Sequence, residues 1–574
     1  MAFFQPARAI QRLTGAVFPA LLLALCTNPG AAQQIDILDS GGPLSPERAA
    51  FDVHFYDIDL SVDPSTRSIE GSAATFAELV SPLRYLVLDL DTVFTITGVK
   101  SEPEGTPLRW EREDGRIRID LGSEKPAGSQ VGARVMYRGK PRVAPNAPWD
   151  GGFVWARTPS GQPWIATAVQ GHGQDLFWPG KDHVSDKPDS VSIRVRVPEP
   201  LVVASNGALR GVESHADGTR SYHWFVSTPI SAYNVALNIA PYREIRDSFI
   251  SVSGDTVPVS FFVLPEDEAR GREILPEFIN HVRFHEKYLG PYPFRADKYG
   301  VVQTPHLGME HQTIIAYGAR FDRGAMTGGL DWGFDALHHH ELSHEWWGNL
   351  VTNADWKDMW LQEGFATYMQ ALYAGELGGA DQYLAYMVSN RGGFANRQPV
   401  APRETRTAQE IYFDSGSDIY GKGAWVLHTL RHMIGDDAFF RALRRMAYPD
   451  PALEAITDGG QTRFATTDDF LHIAEEESGK ELGWFFEVYL RQPALPVLNA
   501  ERAGDQIILS WDVPGGLPFP MPVDVEVDGE VHSLSFPAGG AVRIELPGAG
   551  DLVLDPDVWV LRANQAPIVL PASR

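Results

Sequence analysis

Two histidines four residues apart with a glutamate after the first, His340-Glu341-Leu342-Ser343-His344, constrain this chain more than any other feature. On a helix both imidazoles project from one face and meet a single tetrahedral metal. Glu341, one step round from His340, then lies close enough to act as a base toward water at that metal. A catalytic site needs a third protein ligand and an open fourth position. Glu363, within Trp360-Leu361-Gln362-Glu363-Gly364-Phe365-Ala366, follows after 18 intervening residues, room for a turn and a second, antiparallel helix. Two histidines and a glutamate make the catalytic zinc pattern rather than the closed structural one. His338 and His339 extend the run, but only His340 is followed by Glu and by a His four residues on, so the other two are read as packing residues.

The rest of the chain excludes several alternatives. Its 574 residues include 49 Lys and Arg against 74 Asp and Glu, a formal charge of −25 that repels phosphate and argues against nucleic acid as a partner. A single cysteine excludes a disulfide scaffold and a thiolate-ligated metal. Arg8 and Arg12 precede an apolar stretch from Leu13 to Leu25, then Thr27-Asn28-Pro29 and the small residues Gly30-Ala31-Ala32. This pattern predicts a secretory signal peptide over 1–32, too short in its apolar run to span a bilayer. No later segment is long and apolar enough to cross a membrane.

Organisation changes twice along the chain. From Phe51 to Ile245 apolar residues alternate, as in Tyr56, Ile58, Leu60 and Val62, and turn signals such as Asn206-Gly207 punctuate them. Helical spacing dominates from Pro265 to Leu490, over 331–349, 359–373, 423–434 and 467–489. After Pro496 strands return. The expected architecture is multidomain α+β: an N-terminal all-β domain (33–245), a catalytic domain (246–495) and a small C-terminal β-sandwich (496–574). The spacing Gly416 to Lys422 imitates a phosphate-binding loop, but Gly423 stands where Ser or Thr would be needed and no buried strand precedes it.

Taken together, His340 to Thr352 and Trp360 to Ala366 resemble the aminopeptidase N and leukotriene hydrolase family of zinc metallopeptidases, the gluzincins. Leu307-Gly308-Met309-Glu310-His311 is similar to the family's Gly-x-Met-Glu-Asn exopeptidase motif, and Tyr420-Gly421-Lys422-Gly423-Ala424 to its Tyr-Glu-Lys-Gly-Ala segment. Ala168-Val169-Gln170 resembles the strand that supplies an amine-binding glutamine. The resemblance implies a thermolysin-like α/β catalytic domain and one Zn2+ per chain on His340, His344 and Glu363. It implies Glu341 and Tyr420 as catalytic groups, with Glu310, Gln170, Gly308 and Met309 binding substrate. A carboxylate at Glu310 would pair with the protonated α-amine of a peptide, restricting cleavage to the first residue. Tyr420 would donate to the oxyanion. His311 stands where the family has Asn, Gly308 where it has Ala and Leu307 where it has Gly, which bears on the pocket for the first side chain.

The reading that results is an exported zinc aminopeptidase acting on peptides with a free N-terminal amine, periplasmic or secreted, in a Gram-negative bacterium. The alternatives are a zinc endopeptidase or epoxide hydrolase on the same fold, or a peptide-binding homologue without turnover. Oligomeric state and the preferred first residue leave no trace in the sequence.

Overall fold

The computed structural model describes residues 39–503, 506–537, 541–545, 551–564 and 566–570. The expected signal segment lies outside them. Among the described residues no helix is long and apolar enough to cross a membrane.

The alternating stretch forms sheets. Seven strands lie in the order Ala208–Ser214, Thr219–Val226, Ser190–Pro198, Phe51–Asp63, Ser68–Leu79, Gln130–Gly139 and Phe94–Ser101. The first long strand pairs antiparallel with the second, Ile58 opposite Ala73, and parallel with Ser190–Pro198. Alternation places Tyr56, Ile58, Leu60 and Val62 inside, each no more than 2% exposed. A separate four-stranded sheet carries Pro163–Ala168, and the chain leaves that strand directly into Gln170.

A third sheet delivers the segment that ends in Glu310. Its order is Arg243–Ile250, Thr256–Val263, Tyr299–Gln303, Ile315–Tyr317 and Gly308–Met309, with the last as a two-residue edge. Against it pack α1 (Glu268–Leu289) and α2 (Ala336–Ser343). The helix expected over 331–349 is thus only eight residues long. Asp335 caps its start, accepting from the His338 amide at 2.9 Å. Its continuation is broken by Gly348, whose φ of 130° no L-residue adopts readily. Every residue of α2 is buried, so it is a central helix rather than an amphipathic one.

The chain then runs through α3 (Trp360–Ser389), α4 (Ala408–Ser415) and α5 (Gly421–Ile434). α3 packs against both α2 and α5. The helix expected from Thr467 to Tyr489 is two, Thr467–Ser478 and Gly483–Leu490, because Gly479 takes the left-handed conformation (φ 68°) and closes the first. One apolar core runs from the N-terminal sheets through these helices. A smaller one, with Leu498, Ile507, Leu509, Val525 and Leu554, fills two C-terminal sheets.

The loop between the last two strands leaves that small core and docks on α5. The Trp559 ring stacks on His428 at 4.6 Å and His432 at 5.3 Å. Thr429 Oγ1 donates to the Trp559 carbonyl and accepts from the Leu561 amide, each at 3.0 Å. Asp555 and Arg562, no more than 1% exposed, pair at 3.4 Å beneath the loop.

Candidate metal centre and amine pocket

His340 and His344 sit one turn apart at the end of α2, and Glu363 sits in the first turn of α3. The helix–helix contact brings the three together: His340 Nε2 lies 3.2 Å from His344 Nε2 and 3.3 Å from Glu363 Oε2. His344 Nε2 is 3.5 Å from the same carboxylate oxygen. Ligands about 2.0–2.1 Å from a tetrahedral zinc lie about 3.3–3.4 Å from one another, so this donor triangle fits that ion. Among the described residues it is the one His/Cys/Asp/Glu group of three or more with such convergence. His344 Nδ1 faces the Trp347 carbonyl at 2.9 Å and must donate to it, which leaves the Nε2 lone pair directed inward.

Burial governs the charges. It pushes the Glu363 carboxyl up, but His344 and His340 override it and bring Glu363 to about 2. The same pairing raises His344 against its own burial, whereas burial lowers His340. Glu341 is held well above the usual carboxylate range by burial; His344 opposes this, and Glu310 and Glu363 add to it. A carboxyl so raised is suited to taking up and passing on a proton. Its carboxylate has room because Gly308 is opposite: a Cβ on Gly308 would lie 2.5 Å from Glu341 Oε1.

Glu310 follows Met309 at the edge of the third sheet and is 3% exposed. Its side chain accepts from Gln170 Nε2 at 2.5 Å and from the Tyr233 hydroxyl at 2.9 Å. Burial raises its carboxyl; His344 draws it down and Glu363 pushes it up, which places Glu310 within the field of the metal donors. Its backbone carbonyl accepts from Asn349 Nδ2 at 2.9 Å, and the Thr313 amide, three residues on, donates to Glu345 Oε1 at 2.8 Å. The residues just after His344 therefore hold the loop that carries Glu310. Tyr420, at the start of α5, stacks its ring near His340 at 6.1 Å, and its phenol is raised by burial and then by Glu363.

Eight of the nine residues singled out from the sequence meet around this one place, with the ninth, Met309, standing between Gly308 and Glu310 on the edge strand. His338 and His339 do not: His338 stacks on Phe278 at 3.6 Å and bonds His281 Nδ1 at 2.8 Å, and His339 stacks on Tyr373. Tyr233, Tyr412, Asn349 and Glu345 were not foreseen. Asn349 and Glu345 stood inside the quoted motif, within five residues of His344, which was the available signal.

Residues 280–489 match the Peptidase family M1 domain. The chain carries a peptidase family M1 domain. It is 24% identical over 472 residues to the leucyl aminopeptidase of Saccharolobus solfataricus, covering 75% of this chain and 54% of that one. It is 29% identical over 250 residues to the aminopeptidase N of Lactococcus lactis, covering 40% and 27%. The chain thus aligns with about half, or less, of the length of these relatives. The fold is that of the M1 zinc metallopeptidase of Deinococcus radiodurans, with a TM-score of 0.64 at 24% identity over 80% of this chain and 98% of that one. A mutant of that protein bound to a Tyr-Ser-Ala substrate aligns with a TM-score of 0.63, at the same identity and coverage. The matched M1 segment holds every metal donor, Glu341, Glu310 and Tyr420, while Gln170 and Tyr233 come from the β-rich part before it.

Proposed function

We propose that this chain is a zinc-dependent aminopeptidase that removes N-terminal residues from peptides. The observation that carries the reading is Glu310: a buried carboxylate beside the metal donors, braced by two neutral hydrogen-bond donors and lacking a cationic side chain bonded to it among the described residues. The protonated α-amine of a peptide is the partner such a group needs. The M1 match and relatives named as aminopeptidases support the same reading.

A zinc ion held by His340, His344 and Glu363 would supply Lewis acidity toward the scissile carbonyl and an acidified water. Glu341 takes the proton of the attacking water and returns one to the departing amine. Tyr420 donates its hydroxyl to the oxygen that becomes negative, a contact of a kind whose loss costs about 3 kcal/mol. Glu310 and Gln170 Oε1 hold the ammonium, so the cut falls after the first residue, with Gly308 and Met309 alongside the peptide. The positive, apolar start of the sequence favours action outside the cytoplasm.

The test is hydrolysis of aminoacyl-arylamides, each paired with its N-acetylated form. Cleavage of the free forms only, abolished by a chelator and reduced at least a hundredfold by Glu310→Ala, is expected. Equal cleavage of acetylated forms would remove the amine-anchor role and leave an endopeptidase.

A further inference from the structure

A row of hydrogen bonds runs past the metal centre through residues from four separate elements. Tyr233 and Gln170 both donate to Glu310 Oε1, and the Tyr412 hydroxyl donates to Gln170 Oε1 at 2.5 Å. Tyr412 comes from α4 and lies half-buried.

The orientation of the Gln170 amide follows from its neighbours. A carboxylate only accepts, so Nε2 faces Glu310 and Oε1 faces a donor, which Tyr412 provides. One lone pair of Oε1 is occupied by Tyr412, and the second is open to an ammonium hydrogen. The terminal torsion of a glutamine is broad and roughly two-fold. Glu310 keeps Nε2 on its own side, and the Tyr412 phenol sets the tilt of Oε1 about that torsion. The single hydroxyl proton of Tyr412 is committed to Gln170.

We propose that Tyr412 is a positioning residue that fixes the Gln170 carbonyl for the peptide α-ammonium. This inference rests on the aminopeptidase reading. It is tested on the full, zinc-loaded chain with a free aminoacyl-arylamide, comparing wild type, Tyr412→Phe, Gln170→Ala and the double variant. Tyr412→Phe keeps the ring, so zinc content and melting temperature stay at wild-type values. Its KM rises roughly tenfold, the size of one hydrogen bond to a charged partner, with a smaller fall in kcat. In the Gln170→Ala background the same substitution leaves KM unchanged. A wild type without turnover removes the underlying reading and the proposal with it. Wild-type turnover with Tyr412→Phe within twofold in KM, or KM effects that multiply in the double variant, overturns the proposal alone.

Discussion

Glu341 lies against a glycine, and that pairing is the sharpest test at the scale of single residues. A methyl on Gly308 would meet only the far ends of two flexible side chains, Glu341 at 2.5 Å and Leu337 at 2.7 Å. The fold can absorb such a contact, but in the proposed mechanism the Glu341 carboxylate must meet the attacking water and cannot move freely. Gly308→Ala is therefore expected to leave zinc content and thermal stability unchanged while kcat falls about tenfold, since small misplacements of a catalytic group are costly. An unchanged kcat would show that Glu341 retains its working position in the presence of a side chain at 308. The metal donors were legible in the sequence because two of them share one turn and the third sits at a fixed distance along the chain. Tyr233 and Tyr412 were not, since each reaches Glu310 or Gln170 across more than 70 or 200 intervening positions. Nothing local distinguishes them from core tyrosines.

Among elements, the most telling is a short one. The segment 39–43 passes between the β-rich part and the helices. The Ser40 amide donates to the Gly171 carbonyl at 3.2 Å, and its carbonyl accepts from the Ala408 amide at 3.0 Å. It thereby joins the residue after Gln170 to the first turn of α4, which carries Tyr412. Thr407 caps that turn with Glu410 as its reciprocal partner. Ser40 Oγ also donates to Asp182 at 3.0 Å. Asp182 is pushed up to about 7, chiefly by burial and then by Asp89, with Arg48 opposing. A raised carboxyl binds its proton more tightly folded than unfolded. Its stabilising share is full below about pH 4 and is lost as pH climbs toward 7. Asp182→Asn keeps an acceptor for Ser40 and removes the charge, so it is expected to raise the melting temperature by about 2 °C at pH 8, with no gain at pH 4. A gain equal at both values would assign the effect to packing. Element boundaries were less legible than element types: the helix expected over 467–489 divides at Gly479, and the one over 331–349 contracts to the eight residues that Asp335 starts.

At the scale of the molecule, three cooperating parts build one pocket. The β-rich part supplies Gln170 and Tyr233, the M1 segment supplies the metal donors, and the C-terminal sheets brace α5. The last contact is specific rather than generic, with Trp559 stacked on two histidines and Thr429 bonded to the loop in both directions. A chain stopped after Leu495 leaves this face of α5 uncovered. It is expected to melt lower than the full chain and to lose turnover through Tyr420, with the free-amine arylamide assay and thermal denaturation as readouts. Equal melting and kcat would show that the sheets are dispensable to the pocket. The presence of these sheets could be read from alternating valines after Pro496; the docking loop could not, because Asp555 and Val558 take positive φ angles that side-chain patterns do not announce.

That docking loop also sets a clock. His428 on α5 meets the Val558 carbonyl 130 positions later, so a chain delivered N-terminus first produces this helix well before the partner that steadies it. At roughly 5–20 residues per second of synthesis, the interval is on the order of ten seconds. During it the metal donors and the amine pocket are already in hand, yet the helix that begins at Tyr420 is unbraced. The face of α5 that Trp559 covers is thereby open until the newest part of the chain arrives.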